Sequence, residues 1–138
     1  MNEKIIKFLS YIPDWKTGYS FGGLDVNVIG LNDPFDGNIV QLDRIYACNQ
    51  DDFLNMMHLN KYNDEPEYDG YFIIGQTTSD AYLAVDADDN VVVLDFDLTY
   101  PGSENNSSQV YQTGMKLFDL GDLIEGFSNK NATKDVIC

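Results

Sequence analysis

The chain has 138 residues, 43% of them hydrophobic, and a formal net charge of −15 from 23 acidic against 8 basic side chains. That length and apolar content allow one domain with its own core, and no apolar run approaches the roughly 20 residues that cross a bilayer as a helix. The charge opposes contact with nucleic acid or anionic lipid and favours a cationic partner.

Taken in order, Asn2 to Tyr11 reads as a short helix, with Ile5, Phe8, Leu9 and Ile12 at helical spacing, Asn2 as its cap and Pro13 as its stop. Its basic, briefly apolar start has neither the long apolar core nor the small-residue cleavage site of a signal peptide. Trp15 lies in a turn that ends at Gly18. Leu24, Val26 and Val28 alternate with Asp25 and Asn27, which predicts a strand within Tyr19 to Leu31. Asn32-Asp33-Pro34 and Asp36-Gly37 are turn chemistry. Ile39 to Tyr46 reads equally as a strand or an irregular link. Asn49 to Tyr62 reads as a second helix, capped by Asn49, with Asp51 and Asp52 in its first turn and Phe53, Met56, Met57 and Asn60 as its stripe. Asp64 to Asp69 is an acidic loop containing Pro66.

The most legible stretch is Tyr71 to Leu98. Tyr71-Phe72-Ile73-Ile74 is closed by Gly75, Ala81 to Val85 follows, and Asp86-Ala87-Asp88-Asp89-Asn90 leads into Val91 to Leu98. Three strands are expected, the last two forming a hairpin. Period-two alternation sets Val92, Leu94, Phe96 and Leu98 against Val91, Val93, Asp95 and Asp97. The expected buried set is Leu83, Val85, Val92, Leu94 and Phe96, with Asp95 and Asp97 exposed. Pro101 to Ser108 is a polar loop, Val110 and Tyr111 resume a strand, and Lys116 to Ser128 reads as a closing helix with Leu120, Leu123, Ile124 and Phe127 as its stripe. Residues 129–138 read as a loose tail. The fold class expected is α+β, a single domain over 1–138 whose mainly antiparallel central sheet is flanked by helices.

Chemistry-bearing patterns are sparse. Asp86-x-Asp88-x-Asn90 matches the opening of a calcium loop, with Asp97 at position twelve, but Val91 stands where that loop needs Gly and strands flank it. The expectation is a hairpin turn and no metal. Cys48 and Cys138 give no disulfide framework, so reduced thiols in a cytosolic protein are expected, and Cys138 is misplaced for prenylation. The single His58 leaves only a Cys48–His58 dyad for nucleophilic catalysis. Asp95 and Asp97, about 7 Å apart by strand rise, would be a carboxylate pair. No phosphate-cradling glycine loop or zinc set appears, and no cofactor or catalytic residue is assigned. The signal that stands out is the span between Tyr62 and Met115. It holds Asp64, Glu65, Glu67, Asp69, Asp80, Asp86, Asp88, Asp89, Asp95, Asp97 and Glu104 and no Lys or Arg, so it carries −11 of the total.

The order of elements resembles the SUKH superfamily, which includes fungal cell-wall-synthesis regulators and bacterial toxin-immunity proteins. Phe8-Leu9 through Thr17-Gly18 is similar to that family's first helix and glycine turn. Phe72-Ile73-Ile74-Gly75 with Asp80 to Val85 is similar to its central strands, Asp86 to Phe96 to its hairpin, and Leu120 to Phe127 to its closing helix. The family's longer first helix after a Leu-Pro element is missing, and Tyr11-Ile12-Pro13-Asp14 is displaced. The resemblance implies a non-enzymatic cytoplasmic immunity protein. Such a protein binds and neutralises a cognate cationic toxin encoded nearby, a nuclease of the contact-dependent-inhibition kind, without nucleic acid or membrane as partner. The candidate toxin-binding residues are Asp64, Glu65, Glu67, Asp69, Asp86, Asp88, Asp89, Asp95 and Asp97, with Tyr82 and Tyr100 as aromatic anchors. Two alternatives stand beside it: a scaffold or regulatory module of the same fold, and a small enzyme using Cys48 and His58 or a carboxylate pair.

Overall fold

Alternating side chains and turns rich in Asp, Asn and Gly build a continuous antiparallel meander. The structure, a computed structural model, describes residues 19–46, 60 and 66–130. The helix expected over Asn2 to Tyr11 and, apart from the helical Asn60, the one expected over Asn49 to Tyr62 fall outside the described residues, along with Cys48, His58 and residues 131–138. The strands are β1 (Tyr19–Asn27), β2 (Ile39–Ile45), β3 (Phe72–Thr77), β4 (Tyr82–Val85), β5 (Asn90–Leu94) and β6 (Val110–Lys116), followed by helix α1 (Leu117–Lys130). Their order in the sheet is their order in sequence, and every neighbouring pair is antiparallel. Ile39 to Tyr46, ambiguous in sequence, is thus a strand over most of its length.

The sheet curls. Bulges interrupt the register of β1 between Ser20 and Leu24, where Gly22 and Gly23 take positive φ, and of β3 between Ile73 and Gly75. The first adds two residues to β1 and the second one residue to β3, and such insertions sharpen the twist. The two ends of the meander consequently approach each other, and the Ile29 N–H just beyond β1 donates to the Gln112 carbonyl on β6 at 2.9 Å. The described residues form a curled, mostly β sheet with one helix. The antiparallel sheet and the closing helix are those expected, and the other expected helices do not show as a flanking layer among these residues.

Burial corrects the expected hairpin faces. Leu83 pairs with Val93 and Val85 with Val91, whereas Ala84 pairs with Val92 and Tyr82 with Leu94. Cross-strand partners share a face, so Leu83 and Val85 lie opposite Val92 and Leu94, not beside them. Val91, Val92, Val93 and Leu94 are all buried because the curled sheet covers both faces. One face joins the main core, with Leu42, Ile45, Tyr111, Leu117 and Leu120. The other carries Ala84, Val92 and Leu94 under Tyr68, Tyr71, Tyr82 and Phe96. Tyr68 sits edge-on to Phe96 (5.2 Å, 80°) and to Tyr82 (6.0 Å, 68°), a favoured arrangement of aromatic quadrupoles. Phe96 is therefore half-buried as part of a lid, rather than a core residue, and Leu98 is exposed.

β2 ends at Ile45, short of Ile73. The Asn60 side chain occupies the vacated pairing position, accepting from the Ile73 N–H at 2.6 Å and donating to its carbonyl at 2.7 Å. A side-chain amide carries one donor and one acceptor surface, as a peptide does, so it can stand in for a strand. At α1, the Asp119 carboxylate accepts from the Lys116 N–H at 2.8 Å, the reach-back half of a capping box. The Leu117 N–H is taken by the Asp89 carbonyl at 2.9 Å, which ties the helix to the β4–β5 turn.

Candidate functional site: two acidic ends and a cleft

Strand direction divides the acidic candidates. β3 starts beside the end of β4, Phe72 opposite Val85, so Glu67 and Asp69 lie at the same end of the sheet as Asp86, Asp88 and Asp89. Asp95 and Asp97 follow β5 at the other end. The five residues of β5, about 14 Å at strand rise, separate the two groups.

At the first end the carboxylates serve the backbone. Asp86 Oδ1 accepts from the N–H groups of Asp88 and Asn90, both at 2.9 Å, and Asp86 Oδ2 from Asn90 Nδ2 at 3.0 Å. Asp89 takes φ 66°, the left-handed geometry that Asp tolerates. The calcium-like spelling is a hairpin turn, as expected. Burial pushes the Asp86 carboxyl up, but the Asn90 side chain, the Asn90 and Asp88 amides and Lys116 outweigh it, holding the group below the usual value. Lys116 Nζ donates to the Asp88 carbonyl at 3.2 Å. Glu67, Asp69 and Asp88 are exposed, and Asp86 and Asp89 half-buried.

The second end overturns a prediction. β5 stops at Leu94, and Asp95, expected on the surface, is only 1% exposed. Its carboxylate accepts from the Thr99 N–H and hydroxyl (both 2.8 Å), the Tyr100 N–H (2.9 Å) and the Ser103 hydroxyl. The Tyr111 hydroxyl donates to Ser103 Oγ at 2.8 Å. A buried acceptor with this many donors organises a loop, and that removes it from any contact surface. Asp95 and Asp97 do not share a strand face, so the carboxylate-pair reading loses its geometry. Asp97 is exposed. Tyr100, a candidate anchor, is buried at 6% exposure, and Tyr82 is half-buried under Tyr68. Asp64 and Glu65 fall outside the described residues.

Also at the second end is a cleft of about 300 Å³ that no sequence pattern announced. It is lined by Asp25, Asp36, Ile39, Val40, Gln41, Thr78, Ser79 and Tyr100. The Thr78 N–H donates to the Gln41 carbonyl at 2.9 Å, drawing the β3–β4 turn against β2. Gln41 Nε2 donates to Asp25 Oδ1 at 3.0 Å. The Tyr100 hydroxyl is enclosed beside those of Thr77 and Ser79 and makes no well-formed hydrogen bond to protein; burial pushes its pKa up, against the effect of those two hydroxyls. Beside the cleft Phe35 is 83% exposed and Ile39 41%. The only sequence signal for this place was an aromatic residue inside the turn Pro34-Phe35-Asp36-Gly37, where a large side chain has nothing to pack on.

Among the described residues, no group of three or more His, Cys, Asp or Glu side chains could hold a metal ion, and no helix is long and apolar enough to cross a membrane. No family model, curated protein or solved structure matches the chain.

Proposed function

We propose that this chain is a binding protein of the immunity type, SUKH-like in the resemblance of its sequence, that neutralises a cationic protein toxin by covering it with an acidic surface. The carrying observation is charge: −15 overall, with eleven acids and no base between Tyr62 and Met115. Glu67, Asp69, Asp88 and Asp97 present theirs to solvent. Like charges held on one domain repel, and a basic partner relieves that repulsion while being steered in. A nuclease suits the role, because the cleft that grips phosphates is itself basic. Occupying that cleft blocks the substrate, and no catalytic group is required of the binder.

The test uses the toxin encoded beside this chain. Glu67 with Asp69, and Asp88 with Asp97, are changed to Gln or Asn, and affinity and protection of toxin-expressing cells are measured at low and high salt. Binding should weaken at low salt and the variants should lose part of the parent's salt dependence. Parent-like binding and protection at both salts would sink the reading.

A further inference from the structure

The cleft at the second end carries an inference that rests on the cationic-partner reading and says where the partner seats. We propose that the cleft between β2 and the Thr78–Ser79 turn receives an arginine or lysine side chain of a basic protein, with Phe35 and Ile39 as the apolar contacts around it.

Four observations converge. First, the chemistry of the lining suits a cation: Asp25 and Asp36 supply carboxylates, Gln41, Thr78 and Ser79 supply further acceptors, and the lining contains no Lys or Arg. Guanidinium and ammonium groups only donate, so acceptors alone are what they need. Second, one of these carboxylates is already oriented: Gln41 Nε2 donates to Asp25 Oδ1 at 3.0 Å, which leaves the other lone pairs of Asp25 to accept from a cation. Third, the volume, about 300 Å³, is at the bottom of the range for small-molecule pockets and suits one long side chain.

The fourth observation separates a protein from a small polyamine. Ile39 in the lining and Phe35, next in sequence to the lining residue Asp36, are both exposed, and exposed apolar side chains beside a pocket mark a protein contact. The turn that presents Phe35 is already fixed. Asp33 and Gly37 exchange both backbone hydrogen bonds at 2.8 Å, and Asp33 Oδ1 accepts from the Phe35 N–H at 2.8 Å and the Asp36 N–H at 3.3 Å. The Asn38 side chain closes the turn onto Asn32. Little ordering remains to be done when a partner arrives, which favours affinity. The Asp86 turn differs, since Asp86 is engaged with its own backbone and Asn90.

The experiment is amide chemical-shift mapping of the full chain. Three probes are used: a blocked Leu-Arg-Leu tripeptide, the same peptide with neutral citrulline for arginine, and spermine. The arginine peptide should move the amides of Gln41, Thr78, Ser79 and Tyr100, and the citrulline peptide should not. Asp25→Asn with Asp36→Asn should weaken the response about tenfold or more, because charge-assisted hydrogen bonds are lost, in a protein whose remaining spectrum is unchanged. Phe35→Ala should weaken it for the peptide and leave spermine unaffected. Equal responses to arginine and citrulline, or no response at these amides, would overturn the proposal. A response to spermine alone would replace the protein side chain with a small polycation. Shifts confined to Glu67, Asp69 and Asp86–Asp89 would overturn the cleft while leaving the acidic-surface reading intact.

Discussion

Asp95 shows how much one side chain decides. Deleting its carboxylate strands the buried Tyr100 N–H and Ser103 hydroxyl and frees the exposed Thr99. A buried donor without a partner costs about 1–3 kcal/mol, so Asp95→Ala should lower stability by roughly 3 kcal/mol or more, read as a fall in the urea midpoint. A change below about 1 kcal/mol would mean that water replaces the carboxylate. Asp86 makes a pH-dependent contribution. Its folded carboxyl titrates below the ordinary 3.8, so the charged form is stabilised by folding. That stability is complete above the unfolded value and is lost as pH falls through the lower, folded one. Asp86→Ala should therefore melt below the parent at neutral pH, and the gap should close as the solution is acidified past 3.8. A gap that stays constant across that range would show that the turn depends on shape alone.

Among the elements, two glycines sit where chain meets chain. A Cβ on Gly102 would strike the Leu31 carbonyl oxygen, and one on Gly75 the Arg44 carbonyl oxygen. Neither has positive φ, so the constraint is contact alone. Gly70, by contrast, has φ +86° with nothing within 4 Å of the added carbon. Gly70→Ala should cost about 1–2 kcal/mol of left-handed strain. Gly102→Ala must displace backbone and should cost more than about 3 kcal/mol, beyond the ordinary overpacking range. Thermal melts of the two variants would order them, and the reverse order would put the close approach of the 101–105 turn to Leu31 in error. This approach also sets the cleft, because Tyr100 heads that turn.

Over the whole molecule, burial governs the alkaline limit. Tyr46, Tyr100 and Tyr111 all have phenol pKa values raised above the usual 10.0, chiefly by desolvation. For Tyr46 the neighbouring Tyr82 adds to the rise, and its hydroxyl donates to Gln76 Oε1 at 2.7 Å. A raised folded value means stability that is intact below pH 10 and lost as pH climbs through the folded values. Phenolate absorbance should thus appear in two phases: a gradual one from the other tyrosines, then a cooperative one coincident with loss of circular dichroism. A single smooth titration with the fold intact would contradict the burial of these three.

The sequence by itself determined every strand but β2, the closing helix and the β4–β5 turn, because these follow from local properties: alternation, helical spacing and the self-bonding of Asp and Asn. It also determined the acidity, on which the proposed cationic partner rests. Faces were decided only by tertiary structure. Period two says that Val92 and Val93 point apart, but which sides are covered depends on bulges and curl, so both ended buried. Asp95 read as another surface acid because nothing local indicates that Ser103, eight residues on, folds back to meet it. The cleft joins residues 25, 36, 78 and 100, far apart along the chain, and exists because the order of strands in the sheet sets their turns side by side. Charge is a sum over residues and survives any arrangement of them, whereas a site is an arrangement and had to wait for the fold.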